Sequence, residues 1–262
     1  MRIILSSLIA IYRKELQSYF ASPFAYVIAG VFWLLSGVLF LMVLQDSIVQ
    51  AASSDQFGFS SPIDVPYNVM LGFSGWVSII SFFLLPMLSM GLYAEERKRG
   101  TLELLATSPV TNWAVALGKL LGVLTFFITM LIPLIIYEAF ALGTADPPIQ
   151  PSVLVLGHVG LILMAGAILS IGMFISSLTD SSILAAILTF VVMTFLLIMD
   201  GISDAFGGPI GDALGHLSLL RHYGNLAQGV LDSSSIILFF SYMVLGLFLT
   251  AQAIEAFRFQ RS

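Results

Sequence analysis

Ionisable side chains are scarce in this sequence, so each one that interrupts an apolar stretch is a candidate for chemistry or contact. The densest group is Glu95-Glu96-Arg97-Lys98-Arg99, followed by Gly100-Thr101-Leu102-Glu103-Leu104-Leu105 and then Pro109-Val110. Five charges in a row, a glycine break and a short amphipathic turn form an element suited to water and to a soluble partner. Glu138 is the one carboxylate inside a hydrophobic segment, and ionisable groups at membrane depth are often functional. It is therefore a candidate for a substrate path. Gly143 and Asp146-Pro147-Pro148 end its segment just beyond it, which also allows a solvated or hydrogen-bonded helix end near the outer interface.

Catalytic readings find little support. The three histidines are His158, His216 and His222, and there is no cysteine. His216 and His222 stand six apart, whereas a ligand pair on one helix is spaced by three or four, so they read as interfacial polar residues rather than a metal pair. No His-Glu-x-x-His occurs. Gly118-Lys119 is followed by Leu120 and lacks a glycine five residues earlier, so no phosphate-binding loop is present. Without cysteine, disulfides, thiol catalysis and thiolate metal sites are excluded.

The elements that position these residues are membrane helices. Of the 262 residues, 58% are hydrophobic and only 10% are charged; soluble domains carry about 25% charged residues. The reading is an all-α polytopic membrane protein, one domain over 1–262. Six segments approach the roughly 20 apolar residues that a crossing needs. They are Phe24–Leu44, Gly75–Ala94, Leu120–Tyr137, Val153–Leu178, Ser181–Met199 and Ser233–Ile254. Only Thr179-Asp180 separates the fourth from the fifth. No small-residue cleavage site precedes the charges near the N-terminus, so a removable signal peptide is not expected.

Short basic loops stay in the cytoplasm. Arg2, Arg13, Lys14, Arg97, Lys98, Arg99, Lys119, Arg258 and Arg261 all fall on one side of a six-span layout, and only Arg221 falls on the other. Both termini and residues 95–112 are thus expected in the cytoplasm, and the acidic loops outside.

Two non-spanning parts remain. Within residues 1–22, Leu5, Leu8, Ile9, Tyr12, Leu16, Tyr19 and Phe20 recur at spacings of three and four. They predict an amphipathic helix along the inner membrane surface, ended by Ser22-Pro23. Residues 201–232 are glycine-rich and too polar to span. They suit short helices that dip into the outer leaflet. Gly118-x-x-x-Gly122, Gly166-x-x-x-Ser170 and Gly172-x-x-x-Ser176 are small-residue pairs that let helices approach closely. Within 95–112, Gly100 breaks the helix leaving the second span. Thr101 can cap a short helix over 102–107, Pro109 ends it, and Thr111 or Asn112 caps the next. Leu102, Leu104, Leu105 and Val110 give that helix an apolar face.

The run from Ala94 to Val110, followed by Gly118-Lys119, resembles the signature of type-2 ABC exporter permeases. The likeness extends over nearly the whole chain. Lys14-Glu15-Leu16-Gln17-Ser18-Tyr19-Phe20 with Ser22-Pro23, Ser176–Asp180, Leu217-Ser218-Leu219 with His222, and Gly229–Asp232 look like the gliding-motility-associated branch. The resemblance implies that residues 95–110 hold the coupling helix that docks on the ATPase subunit. It also implies an inner-surface N-terminal helix, a re-entrant pair before the last span, and two permeases on two separately encoded ATPases. The second permease is either identical or a paired homologue. ATP and magnesium then belong to the partner, and this chain carries no cofactor. A periplasmic accessory subunit fits the branch, and no nucleic-acid partner is expected. The location is the cytoplasmic membrane. Two other functions compete with export. An ion-coupled carrier would show charged residues near the bilayer centre and inverted repeats, neither of which is evident. A membrane subunit transmitting force to an envelope partner would use the same coupling helix.

Overall fold

The computed structural model describes residues 2–56, 64–101 and 111–259. Its elements are α1 (Arg2–Ala21), α2 (Pro23–Gln56), α3 (Val65–Ser89), α4 (Gly91–Lys98), α5 (Asn112–Gly143), α6 (Pro151–Leu178), α7 (Ser182–Phe206), α8 (Gly208–Gly215), α9 (Leu219–Ala227) and α10 (Ser233–Phe259). Among the described residues there is no strand. Six helical stretches are long and apolar enough to cross a membrane: Pro23–Ser53, Val65–Lys98, Asn112–Gly143, Pro151–Leu178, Ser182–Phe206 and Ser233–Ala256. These are the six segments expected from hydropathy, extended at their ends. The second begins ten residues before the apolar run, because Asp64 accepts a hydrogen bond from the Tyr67 N–H and starts the helix ahead of it. Polar residues such as Asn68 then ride in the first turns, where an apolar-run criterion does not see them.

Side-chain caps set several of the other starts. Thr111 accepts from Ala114 at the start of α5, Ser181 from Leu184 at α7, and Ser218 from Arg221 at α9. The Thr179-Asp180 boundary is a real break, with Thr179 in an extended conformation. Gly207 and Gly208, with φ of 59° and 62°, turn the chain from α7 into α8. That conformation is costly for residues with a Cβ. Residues 201–232 thus supply the end of α7 and two short helices, α8 and α9.

The centre of the bundle is α6. It packs against α3, α4, α5, α7, α9 and α10 and is buried along most of its length. Small residues permit this. A Cβ at Gly160 would fall 2.8 Å from Leu226 of α9, and one at Gly246 of α10 would fall 2.6 Å from the Ser170 backbone. On the far side, α2 meets α3 and α5 through aromatic contacts, with Phe40 edge-on to Phe73 at 5.2 Å. Trp33 Nε1 donates to the Met130 carbonyl at 2.9 Å.

The first helix lies along the start of α5. Gly118 and Gly122 form the seat. A Cβ at 122 would stand 2.7 Å from Glu15 Cβ, and one at 118 would stand 2.9 Å from Ile11. Tyr19 stacks on Phe126 at 5.2 Å. Ile11, Leu16 and Tyr19 face the core, while Leu5, Ile9 and Phe20 are exposed. The apolar positions of α1 therefore split into an inner stripe and an outer one.

Candidate functional site

The charged run lies at the end of the bundle where α3 gives way to α4. Pro86 sits in the last turn of α3 and Met90 interrupts the helix. Interruption frees backbone groups inside a buried region, and they need partners. Ser176 of α6 supplies them. Its hydroxyl accepts from the N–H groups of Tyr93 and Ala94 at 3.1 and 3.0 Å, and donates to the Met90 carbonyl at 2.7 Å. Ser176 is fully buried. One turn further, the Arg97 guanidinium donates to the Ser177 carbonyl at 3.0 Å. The short charged helix is thereby bolted to the end of the central helix.

Its other face joins an ionic cluster. Lys119 of α5 places Nζ 2.6 Å from Glu15 Oε1 on α1 and 3.0 Å from Glu96 Oε1 on α4. Lys14 reaches the same Glu96 oxygen at 3.2 Å. The Lys119 side chain is only 3% exposed. Its ammonium also lies 5.0 Å from the Tyr93 ring centroid, an attractive cation–π position. Two cations and two carboxylates make the cluster neutral, which is how buried charges are tolerated. Beside it, Tyr19 donates to the Leu88 carbonyl at 2.6 Å. Burial pushes the Tyr19 phenol above its ordinary range, and nearby Glu15 and Glu95 add to the shift, so the hydroxyl remains a donor. An open groove between α1 and α4 is lined by Lys14, Glu15, Ser18, Glu95, Glu96 and Thr101.

The expected site residues divide into two sets. Glu95, Glu96, Arg97 and Lys98 lie on or at the end of α4, and Arg99 caps it. The Arg99–Glu95 pair at 3.4 Å is exposed and contributes little. Gly100, at φ 70°, and Thr101 finish the helix. Thr101 N–H bonds to Glu96 O and Gly100 N–H to Arg97 O, the paired bonds of a left-handed glycine cap. The Thr101 hydroxyl donates back to the Glu96 carbonyl at 3.2 Å. Leu102, Glu103, Leu104, Leu105, Pro109 and Val110 lie outside the described residues. Sequence reasoning used Lys119 for orientation and beside Gly118, and Glu15 only within the Lys14–Phe20 motif, and missed that they meet. The available signal was Lys119 itself, a lysine inside the apolar helix beside the small-residue pair that seats α1.

Glu138 is not a solvated helix end. It is 2% exposed, and its Oε1 faces His158 Nε2 of α6 at 3.4 Å. The two positions are equally far in sequence from Pro148, at the turn between antiparallel helices, and that symmetry was legible. The cavity beside them has room for about one water. His216 and His222 stack with centroids 6.1 Å apart. His222 Nδ1 bonds to Ser235 Oγ at 2.8 Å and is buried rather than interfacial. Among the described residues no group of three or more His, Asp or Glu is arranged to hold a metal.

Six long apolar helices, one of them buried at the centre of the others, with a bolted charged helix at one end, define a multi-pass membrane protein. Residues 68–206, just over half of the chain, match the family described as ABC-2 family transporter protein. The chain belongs to that family, and it is the non-catalytic membrane subunit of an ABC transporter, the kind that pairs with an ABC ATPase. The matched region runs from α3 to the end of α7, so it contains the charged helix, residues 102–110 and the central helix. No individual curated protein matches the chain.

Proposed function

We propose that this chain is the permease of an ATP-driven exporter and that residues 95–112 carry the motion of the ATPase into the bundle. Two such permeases stand on two ATPase subunits, which hold ATP and magnesium. The assembly lies in the cytoplasmic membrane with both termini and the charged end in the cytoplasm. The reading draws its main support from the way α4 is held. Ser176, the Ser177 carbonyl and Lys119 fix it to the central helix, to α5 and to α1. A push on the segment that follows Gly100 cannot be absorbed locally and moves those helices together. Leu104 and Leu105 fill an apolar cleft on the ATPase, with Glu103 and the basic residues at the rim.

Burial of one leucine contributes about 1.5–3 kcal/mol, and an Asp in its place brings a charge into a desolvated contact. The double variant Leu104→Asp/Leu105→Asp should therefore insert and express as wild type, yet lose co-purification with the ATPase and the ATPase activity of membranes. Glu103→Ala should act more mildly, because rim charges mainly tune association. A double variant with wild-type assembly and activity would remove the coupling role from residues 101–107.

A further inference from the structure

The half of the bundle away from the charged end contains a titratable pair that coupling does not use. We propose that Glu138 and His158 form a binding site for a single proton, which latches α5 to α6. His158 Nδ1 lies 2.9 Å from the Leu154 carbonyl oxygen. A carbonyl only accepts, so Nδ1 carries hydrogen. The other ring nitrogen, Nε2, faces Glu138 Oε1 at 3.4 Å. Two arrangements hold these atoms together: an imidazolium beside a carboxylate, or a neutral imidazole accepting from a carboxylic acid. Both contain the same proton, one more than an ionised carboxylate and a neutral ring. Without it, a carboxylate would face a bare nitrogen lone pair.

The surroundings hold that proton in place. Phe73, Ser74, Val77, Gly157, Leu161 and Tyr223 complete the lining of the small cavity. None of them offers a charge to Glu138. The Tyr223 hydroxyl donates to the Ser74 carbonyl at 3.2 Å, and Ser74 Oγ is turned to Met70 Sδ at 3.8 Å. Glu138 Oε2 is buried with no hydrogen-bond partner among the described residues. The other titratable groups nearby are the phenols of Tyr137, on the same helix as Glu138, and Tyr223 of α9. From α3 the site is met by Phe73, Ser74 and Val77, which do not titrate. A lone carboxylate charge in such a place is costly, and one water is all the space allows. The ligand is a proton rather than a larger cation, which would need several more oxygens. Empty of it, the two helices repel across their seam.

The test uses the full chain in lipid nanodiscs. Ring-nitrogen and glutamate-carboxyl NMR shifts at neutral pH should together count one proton beyond a neutral His158 and an ionised Glu138. Signals are assigned by comparison with His158→Gln and Glu138→Gln. Raising the pH should empty the site in the wild type. Over that range the unfolding equilibrium should move toward the unfolded state by up to about tenfold per pH unit, the slope for one proton. Glu138→Gln should lack this loss, because its amide donates to the neutral ring without a borrowed proton. A neutral ring opposite an ionised Glu138 at neutral pH would overturn the proposal. So would an alkaline loss in Glu138→Gln equal to that of the wild type. The spectra of the wild type decide the matter even if a variant fails to fold.

Discussion

Lys119→Met should loosen the charged end of the bundle while leaving the apolar core intact. The ammonium stands 2.6 and 3.0 Å from two carboxylates. At an effective dielectric of about 20, each contact is worth roughly 5–6 kcal/mol of Coulomb energy before desolvation. Most of that is offset by the cost of burying the ions. Removing one partner is different, because it leaves the others uncompensated, and a broken buried pair costs about 3–5 kcal/mol. Here the loss is moderated. The carboxylate side chains keep 10% and 15% exposure, and Lys14 still reaches Glu96. We expect about 2–4 kcal/mol, which for a chain of this size lowers the melting temperature by roughly 5–15 °C. The assay is thermal unfolding of the full chain in nanodiscs, followed by tryptophan fluorescence. The triple variant Lys119→Met/Glu15→Gln/Glu96→Gln removes the stranded charges along with the cation, and should recover most of the loss. A single variant that melts within about 2 °C of wild type would refute the reasoning. A triple variant no more stable than the single would also refute it, since the penalty would then lie in lost packing rather than stranded charge.

Ser176→Ala removes a hydroxyl that serves three backbone groups, and should cost about 1–3 kcal/mol in the same assay; wild-type stability would mean that the interrupted helix repairs itself. The pH dependence of stability should show His222. Burial pushes its imidazole below 6.5, and the charges of His216 and Arg221 act the same way, against a hydrogen bond at His216 and the charge of Asp232. A depressed value in the folded state means that the neutral ring contributes stability in full above pH 6.5, and loses it as pH falls through the folded value. Wild type should therefore lose melting temperature on mild acidification more steeply than His222→Gln, and parallel curves would exclude the role.

How much of this was readable beforehand depends on the kind of interaction. The six spans follow from one-dimensional quantities, run length and charge, and the structure adds only turns set by caps such as Asp64. The break at Thr179-Asp180 was forced, because no bilayer fits the doubled length. The seat for α1 was half legible: Gly118 and Gly122 announce a close approach without naming what approaches. The contacts that define the site were not legible, because they join residues far apart in sequence. Glu15 and Lys119 are 104 positions apart, and Tyr93 and Ser176 are 83 apart. Their meeting depends on which helices pack together, and an apolar pattern shared by six spans cannot specify that. Nor did the pattern divide α1, because its packed positions Ile11, Leu16 and Tyr19 and its exposed positions Leu5, Ile9 and Phe20 are apolar alike.

The two ends of the bundle solve one electrostatic problem in different ways, and the difference bears on what each can do. Both bury carboxylates in surroundings where an isolated charge is prohibitive. At the charged end the compensating cations are Lys119 and Lys14, which are covalently part of the chain and cannot leave. The tie among α1, α4 and α5 therefore needs no exchangeable species to complete it. Among the described residues no lysine or arginine lines the cavity at Glu138, and in our proposal neutrality is completed by a proton, which is exchangeable. Helices 5 and 6 run antiparallel with Lys119 and Glu138 nineteen residues apart on α5, about 28 Å along its axis. One helix thus carries a fixed tie near one end and a releasable one near the other. If the proposed coupling holds, a bundle driven at one end and rearranging at the other has reason to place them in that order.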